Sequence, residues 1–285
     1  MKVRLSAFAD EASENFSEQI RVLREERIPM IDLRGLDGKN VSDLSEEEAK
    51  EYRALLDCGG ICVWAIGSPL GKIGIRDDFE EHLCRAERTF RLAKIFGTDK
   101  VRVFSFYTDD PDGDEGEVFK RMRALQSLAE SHGVTLYHEN EKEIYGDTPS
   151  RCVKLLREVG GLKCAFDPAN FIQCGQDAGS ALAVLSEGVD YYHIKDALLA
   201  TGEVVPAGEG DGQIGRLISR LQTDATLTIE PHLSAFTGYD KIDRTVLKNK
   251  FTYASPREAF AAAAEALRKI LNENGFKEEN GVWTK

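Results

Sequence analysis

The sequence has no apolar run approaching the roughly 20 residues of a membrane-spanning helix. Its first residues, MKVRLSAFADEASENF, hold no signal-type apolar core and no small-residue cleavage site. Neither a membrane span nor a leader is therefore expected, and a cytoplasmic location follows. Positive charge is scarce: 37 Lys and Arg stand against 49 Asp and Glu, a net charge of −12. Binding to a phosphate backbone draws on clustered cations, so nucleic acid is not expected as a partner. The cysteines Cys58, Cys62, Cys84, Cys152, Cys164 and Cys174 form no CxxC pair and no zinc-finger spacing. In a cytoplasmic chain of this size they read as reduced thiols, with Cys164 packed in a strand as a small hydrophobe. No glycine fingerprint for a dinucleotide follows the first strand-like run, which argues against an open doubly wound sheet. No linker or shift in composition divides the chain, so one domain over residues 1–285 is expected.

What the sequence does have is alternation. Strand-like runs at 3–8, 29–35, 61–67, 100–107, 133–140, 162–170, 189–197 and 225–233 alternate with helical segments at 15–27, 45–60, 78–96, 116–131, 149–158, 178–186 and 213–221. A last helix begins near Pro256, Ser45 is a candidate cap, and Gly59 and Gly97 are candidate stops. Eight strands alternating with helices imply parallel pairing with right-handed crossovers. The 285 residues suit the α/β class and a closed (β/α)₈ TIM barrel, which needs about 250. Residues 234–255 read as a long final connection, either a solvated loop or a lid or dimer contact.

In such barrels the chemistry sits at the C-terminal ends of the strands. Strands five to eight end at Glu139, Asp167, His193 and Glu230. Pleat parity puts all of these inward. Leu227 and Ile229 oppose Thr228 and Glu230, Cys164 and Phe166 oppose Ala165 and Asp167, and Val134 and Leu136 oppose Tyr137 and Glu139. Three carboxylates converging at the barrel mouth would repel one another, and a divalent cation resolves this. Oxygen and nitrogen donors without a thiolate suit Mn²⁺, Mg²⁺, Co²⁺ or Zn²⁺.

The segments YHEN (137–140), FDPANF (166–171), YYHIKDA (191–197), GEGDGQI (208–214) and TIEPH (228–232) resemble the sugar phosphate isomerase/epimerase superfamily of xylose isomerase-like barrels. That superfamily includes D-tagatose 3-epimerase-like enzymes, inosose dehydratase, hydroxypyruvate isomerase and, more distantly, endonuclease IV. The resemblance implies Glu139, Asp167, His193 and Glu230 as metal ligands and carbohydrate chemistry next to a carbonyl. Glu139 and Glu230 would be the catalytic pair, moving a proton through a metal-stabilised enediolate. Two departures argue against a ketohexose epimerase. Asn170 stands where those enzymes place a His, and Leu199 where they place an Arg. Five histidines in all are too few for the several zinc ions of endonuclease IV.

Arg34 at the end of the second strand, Lys72 after the third and Lys195, which shares His193's parity, could bind a phosphate or carboxylate, while Asn170 could hydrogen-bond a substrate hydroxyl and His232 could reach substrate. His138 has outward parity and reads as packing; His82 and His132 read as exposed helical residues. The GEGDG loop lacks the P-loop Lys and reads as a tight turn, while the resemblance implies that Glu209 or Asp211 lies near the site. The expected partner is a small carbohydrate, sugar phosphate or polyol-derived ketone, and homo-oligomer formation stays open. The alternatives are an inosose dehydratase-like lyase, a DNA-repair endonuclease of this fold, and a non-catalytic sugar-binding barrel.

Overall fold

The computed structural model describes residues 1–185, 187–234 and 253–285. Eight parallel strands form its centre: β1 (Lys2–Ala7), β2 (Met30–Leu33), β3 (Cys62–Ile66), β4 (Lys100–Val103), β5 (Thr135–Glu139), β6 (Lys163–Phe166), β7 (Tyr191–Ile194) and β8 (Ala225–Ile229). Ladders join them in the order β2-β3-β4-β5-β6-β7-β8-β1. The two ends of this row, β1 and β2, pack side by side and close the expected TIM barrel.

Among the described residues no backbone ladder joins β1 to β2. Two other devices bridge this seam. At its N-terminal end, a hairpin of β9 (Lys277–Glu279) and β10 (Val282–Thr284) pairs antiparallel with β1, setting Trp283 opposite Val3. At its C-terminal end, Arg34 beyond β2 is ion-paired to Asp10 and Glu11 beyond β1. The strand pattern does not anticipate the hairpin. Its turn nevertheless carries Asn280 and Gly281 at φ 52° and 75°, the dipeptide that two-residue hairpins favour because both positions need positive φ.

The parity expectation holds. Ala65, Tyr137, Ala165 and Tyr191 form a separate cluster inside the barrel, with the two tyrosine rings edge-to-face at 5.3 Å. Leu136, Cys164, Phe166, Leu227 and Ile229 belong to the larger core between sheet and helices. Fully burying each such aliphatic or aromatic side chain stabilises by roughly 1.5–3 kcal/mol, so this outer layer holds the ring in shape. Inside the ring, the carboxylate of Asp32 in β2 accepts from the Tyr191 hydroxyl of β7 and, at 2.8 Å, from Thr228 of β8.

The helices are α1 (Phe16–Glu25), α2 (Glu46–Gly59), α3 (Phe79–Phe96), α4 (Pro111–Ser131), α5 (Pro149–Glu158), α6 (Pro168–Gln173), α7 (Ala178–Leu185), α8 (Ile214–Ser219) and α9 (Pro256–Glu273). Ser45 caps α2 as expected, in a capping box with Glu48. Gly60, at φ 70°, terminates it rather than Gly59. Helix α4 starts at Pro111, before the expected 116, because Asp110 caps it and a first-turn proline needs no N–H partner. All the expected strands after the first are shorter. For two of them the reason is local: after β6, Pro168 opens α6, and after β7, Asp196–Ala197 turns away to pair antiparallel with Val204–Val205.

Two histidine expectations are corrected. His82 is buried, with its Nε2 accepting the Gly71 N–H at 3.0 Å, and His132 is the half-buried C-cap of α4. The expected connection 234–255 lies outside the described residues except at Ser234 and residues 253–255, as does residue 186 at the end of the expected sixth helix.

Candidate active site

Glu139 closes β5 and Glu230 directly follows β8; His193 lies within β7, opposite Thr228 of β8. Asp167 follows β6 and caps α6, its Oδ1 accepting the Asn170 N–H at 2.9 Å. One carboxylate oxygen is thus spent on local structure, and the other, Oδ2, points into the barrel mouth toward Lys195. All four residues are at most 2% exposed, and they offer donor atoms within 4.8 Å of one another.

The four share one hydrogen-bond network. His193 Nδ1 lies 3.0 Å from Glu139 Oε1 and 3.1 Å from Glu230 Oε2, bridging the two glutamates. Each glutamate also has its own arginine. Arg102, on β4, donates to Glu139 Oε2 at 2.8 Å and to the carbonyls of Gly67 and Ser68. Arg34 donates to Glu230 Oε1 at 3.0 Å. Both guanidiniums lie against the Phe8 ring, at 4.3 Å for Arg34 and 5.2 Å for Arg102, and Phe8 meets His193 edge-on at 5.2 Å. Asn170 donates to Glu139 Oε1 at 3.1 Å, and Lys195 Nζ sits 2.9 Å from Asp167 Oδ2 and 3.5 Å from Glu230 Oε2.

These contacts set the ionisation. Burial raises the pKa of Glu139, but His193 and Arg102 outweigh it and hold the group at about 2. Burial likewise opposes ionisation of Glu230, yet Lys195 and His193 keep it well below the ordinary carboxylate range. Burial would neutralise His193, but Glu139 and Glu230 draw it up to about 10. Asp167 behaves differently. Burial, only partly offset by Lys195, lifts it to about 7. Burial also lifts Glu11 to about 8, against the pull of Arg34.

The donor set fits a divalent cation. With His193 neutral, as a metal ligand must be, five buried carboxylates (Asp10, Glu11, Glu139, Asp167 and Glu230) meet three cations (Arg34, Arg102 and Lys195), a shortfall of two charges. One divalent ion closes that gap; without it, a protonated His193 supplies one charge and a proton on Asp167 or Glu11 the other. His193 Nε2 and Asp167 Oδ2 are buried without a well-aligned hydrogen bond, the kind of atom a bound ion or substrate would satisfy.

The model of the xylose isomerase-like TIM barrel family matches residues 30–233. The chain belongs to this family. A 3-dehydroshikimate dehydratase of Bacillus anthracis is 26% identical over 129 residues, which span 44% of this chain and 46% of that protein. The crystal structure of the probable 3-DHS dehydratase AsbF from Bacillus anthracis superposes with a TM-score of 0.71 at 20% identity, covering 94% of this chain and 99% of that one. D-psicose 3-epimerase, solved in the presence of D-fructose, gives 0.71 at 15% identity over 93% and 97%. An IOLI protein with a bound zinc atom gives 0.72 at 15% identity over 95% and 99%.

This xylose isomerase-like barrel brings together most of the residues expected from sequence. Asn170 and Lys195 touch the carboxylates directly. Arg34 and His232 also converge there, but on Glu11 and Glu230: His232 Nε2 lies 3.3 Å from Glu11 and 3.6 Å from Glu230. Lys72 pairs with Glu141 at 3.1 Å and lies over the Phe104 ring at 4.4 Å. It lines a cavity of about 370 Å³ together with Asp10, Arg34, Arg102 and Phe104. Burial holds the outward His138 at about pKa 4, and it meets Ser105 Oγ at 2.9 Å, as a packing residue would.

Glu209 and Asp211 are exposed, and neither reaches the carboxylates. Their loop instead wraps Asp196, whose carboxylate accepts the N–H groups of Gly208, Gly210 and Gly212 at 2.8, 3.2 and 2.8 Å. The glycine-rich stretch is thus a nest for an anion of its own chain, next to Lys195 and two residues past the end of β7. Phe8, Asp10, Glu11 and Arg102 were not anticipated. Arg102 had a readable signal, since a charged residue at the end of a barrel strand has few outlets other than the site.

Proposed function

We propose that the chain is a divalent-metal-dependent isomerase or epimerase acting on a sugar, sugar phosphate or polyol-derived ketone by proton transfer next to a carbonyl. The supporting observation is the pair of buried glutamates bracketing His193, each fixed by its own arginine. Glu139, Asp167, His193 and Glu230 would hold the ion. When bound, it supplies Lewis-acid polarisation of the substrate carbonyl, which acidifies the neighbouring C–H.

The chain's own residues do the rest. A base must be ionised before it can take a proton, and both glutamates are held so. The glutamate that accepts the proton can return it to the neighbouring carbon, and with the hydroxyl proton passing to the former carbonyl oxygen this isomerises the substrate. Epimerisation requires the other glutamate first to take a proton from water or a substrate hydroxyl and then to deliver it to the opposite face. Lys195 and the guanidiniums of Arg34 and Arg102 keep the site tolerant of the negative charge that develops on substrate oxygens. Asn170 fixes Glu139 and presents an amide to substrate hydroxyls.

The similarity to 3-dehydroshikimate dehydratase supports a second reading, a lyase. Its first step is the same proton removal, followed by loss of a hydroxyl on the next carbon. One experiment covers both. The Mn²⁺-loaded protein is incubated with a panel of ketoses, ketose phosphates, inososes and 3-dehydroshikimate in D₂O. Deuterium on carbon with retained hydroxyls favours isomerase or epimerase chemistry, and loss of water favours the lyase. No exchange and no elimination across the panel would sink both.

A further inference from the structure

We infer that the Arg34 guanidinium fills a second cation position built by Glu11, Glu230 and His232, so that the barrel takes one divalent ion where its donors could hold two. The inference rests on the proposal that Glu139, Asp167, His193 and Glu230 hold a metal.

Glu11, Glu230 and His232 form a separate buried donor group, again with ligand atoms within 4.8 Å of one another. Glu230 belongs to both groups. Its Oε2 faces His193 and Lys195, and its Oε1 faces Arg34 and His232. A carboxylate shared in this way is how a two-metal centre is bridged. Here a cation of the chain already sits in the second position. Arg34 reaches Glu230 Oε1 through one terminal nitrogen and Glu11 Oε1 through the other, both at 3.0 Å.

Arg34 is also locked there. Nε and the nitrogen bound to Glu11 form a two-pronged contact with Asp10 at 2.8 and 3.0 Å, and Phe8 stacks on the plane at 4.3 Å. Four N–H···O contacts to three carboxylates use most of the five donors a guanidinium owns. Arg34 is therefore spoken for by the protein, and it acts as a positioning residue for Glu230 rather than as the phosphate-binding residue that sequence position suggests. A guanidinium keeps its charge at any working pH and cannot dissociate. The site thereby retains a cation beside Glu230 whether or not metal is plentiful.

The test measures metal content. Wild type, Arg34→Lys, Arg34→Met and Arg34→Met/Glu11→Gln are equilibrated with MnCl₂, desalted and assayed by elemental analysis. Mn²⁺ spectra are recorded for spin coupling, and thermal unfolding is followed with and without Mn²⁺. The expected result is one ion per chain for wild type and Arg34→Lys, and two spin-coupled ions for Arg34→Met. The double variant returns to one. Arg34→Met should also gain more in melting temperature from Mn²⁺ than wild type does. Two ions in the wild type, or one ion in a folded Arg34→Met, overturns the inference and leaves the metal reading intact. No ion in the wild type removes both. If Arg34→Met fails to fold even when refolded with Mn²⁺, the inference also fails, because a second ion should replace the lost cation.

Discussion

Arg102 offers the sharpest test of how the glutamates are held. In Arg102→Met the chain keeps an apolar side chain of similar length against Phe8 and Phe104 but loses the guanidinium that meets Glu139 at 2.8 Å. Both partners are nearly inaccessible, at 4% and 2% side-chain exposure, so solvent cannot take over. Removing one member of a buried pair and leaving the other charged costs about 3–5 kcal/mol. That is a large part of the roughly 5–15 kcal/mol that holds a domain folded. The pH dependence should change too. The pKa of Glu139 lies low in the folded chain, at about 2, so its stabilisation is complete above the ordinary carboxylate value of 4.5 and fades as pH falls toward 2. Without Arg102 the folded pKa rises toward 4.5, so the stability that acidification removes through Glu139 shrinks. Urea unfolding of both proteins in chelator at pH 7 and pH 4 reads both effects. A loss at pH 7 of under about 1 kcal/mol, the range of an exposed pair, would refute the argument.

Other predictions follow from the same geometry. Glu139→Gln and Glu230→Gln should each lower deuterium exchange into an active substrate by about 10²–10⁴-fold while far-UV dichroism stays native; unchanged exchange rules out the proton-transfer role. Chelation should lower the melting temperature and restored Mn²⁺ should recover it, since the ion binds only the folded donor set; insensitivity to both counts against a metal. Gly210→Ala should destabilise by about 1–3 kcal/mol in denaturant, because a Cβ there would sit 2.3 Å from the Asp196 carboxylate and 2.5 Å from the Ala197 carbonyl. Gly116→Ala, in α4 with open space around it, should stabilise by about 0.5–1 kcal/mol. Burial holds His82 at about pKa 4, below its ordinary 6.5. Its stabilisation is therefore present above pH 6.5 and lost as pH falls toward 4, and His82→Gln should flatten that part of the stability profile.

The barrel and its four candidate ligands were legible because each rests on a short-range rule. Strand parity alone separated Glu139 from its neighbour His138, and the structure keeps them on opposite faces. Errors arose where a local signal was outranked. The stretch before 116 looked like a loop because its Asp and Gly residues disfavour helix, but the Asp110 cap and Pro111 start α4 anyway. His82 was read as an exposed helical residue, yet it turns inward to meet the Gly71 N–H. The arginine partners are harder to foresee. Arg34 and Glu230 are 196 residues apart, and Arg102 and Glu139 are 37 apart. No spacing rule relates such residues until the ring is closed.

The way the ring closes has its own consequence. Between β1 and β2 no ladder of backbone hydrogen bonds runs among the described residues, and at the upper end of that seam the clasp is Arg34 with Asp10, Glu11 and Glu230. The same salt bridges that shape the candidate site therefore also latch the cylinder shut. In most barrels the wall can be treated as inert scaffolding and the mouth as the variable part. Here a change at the mouth is a change in the wall, so retuning this site for another substrate means keeping, or replacing, the fastener that the site provides.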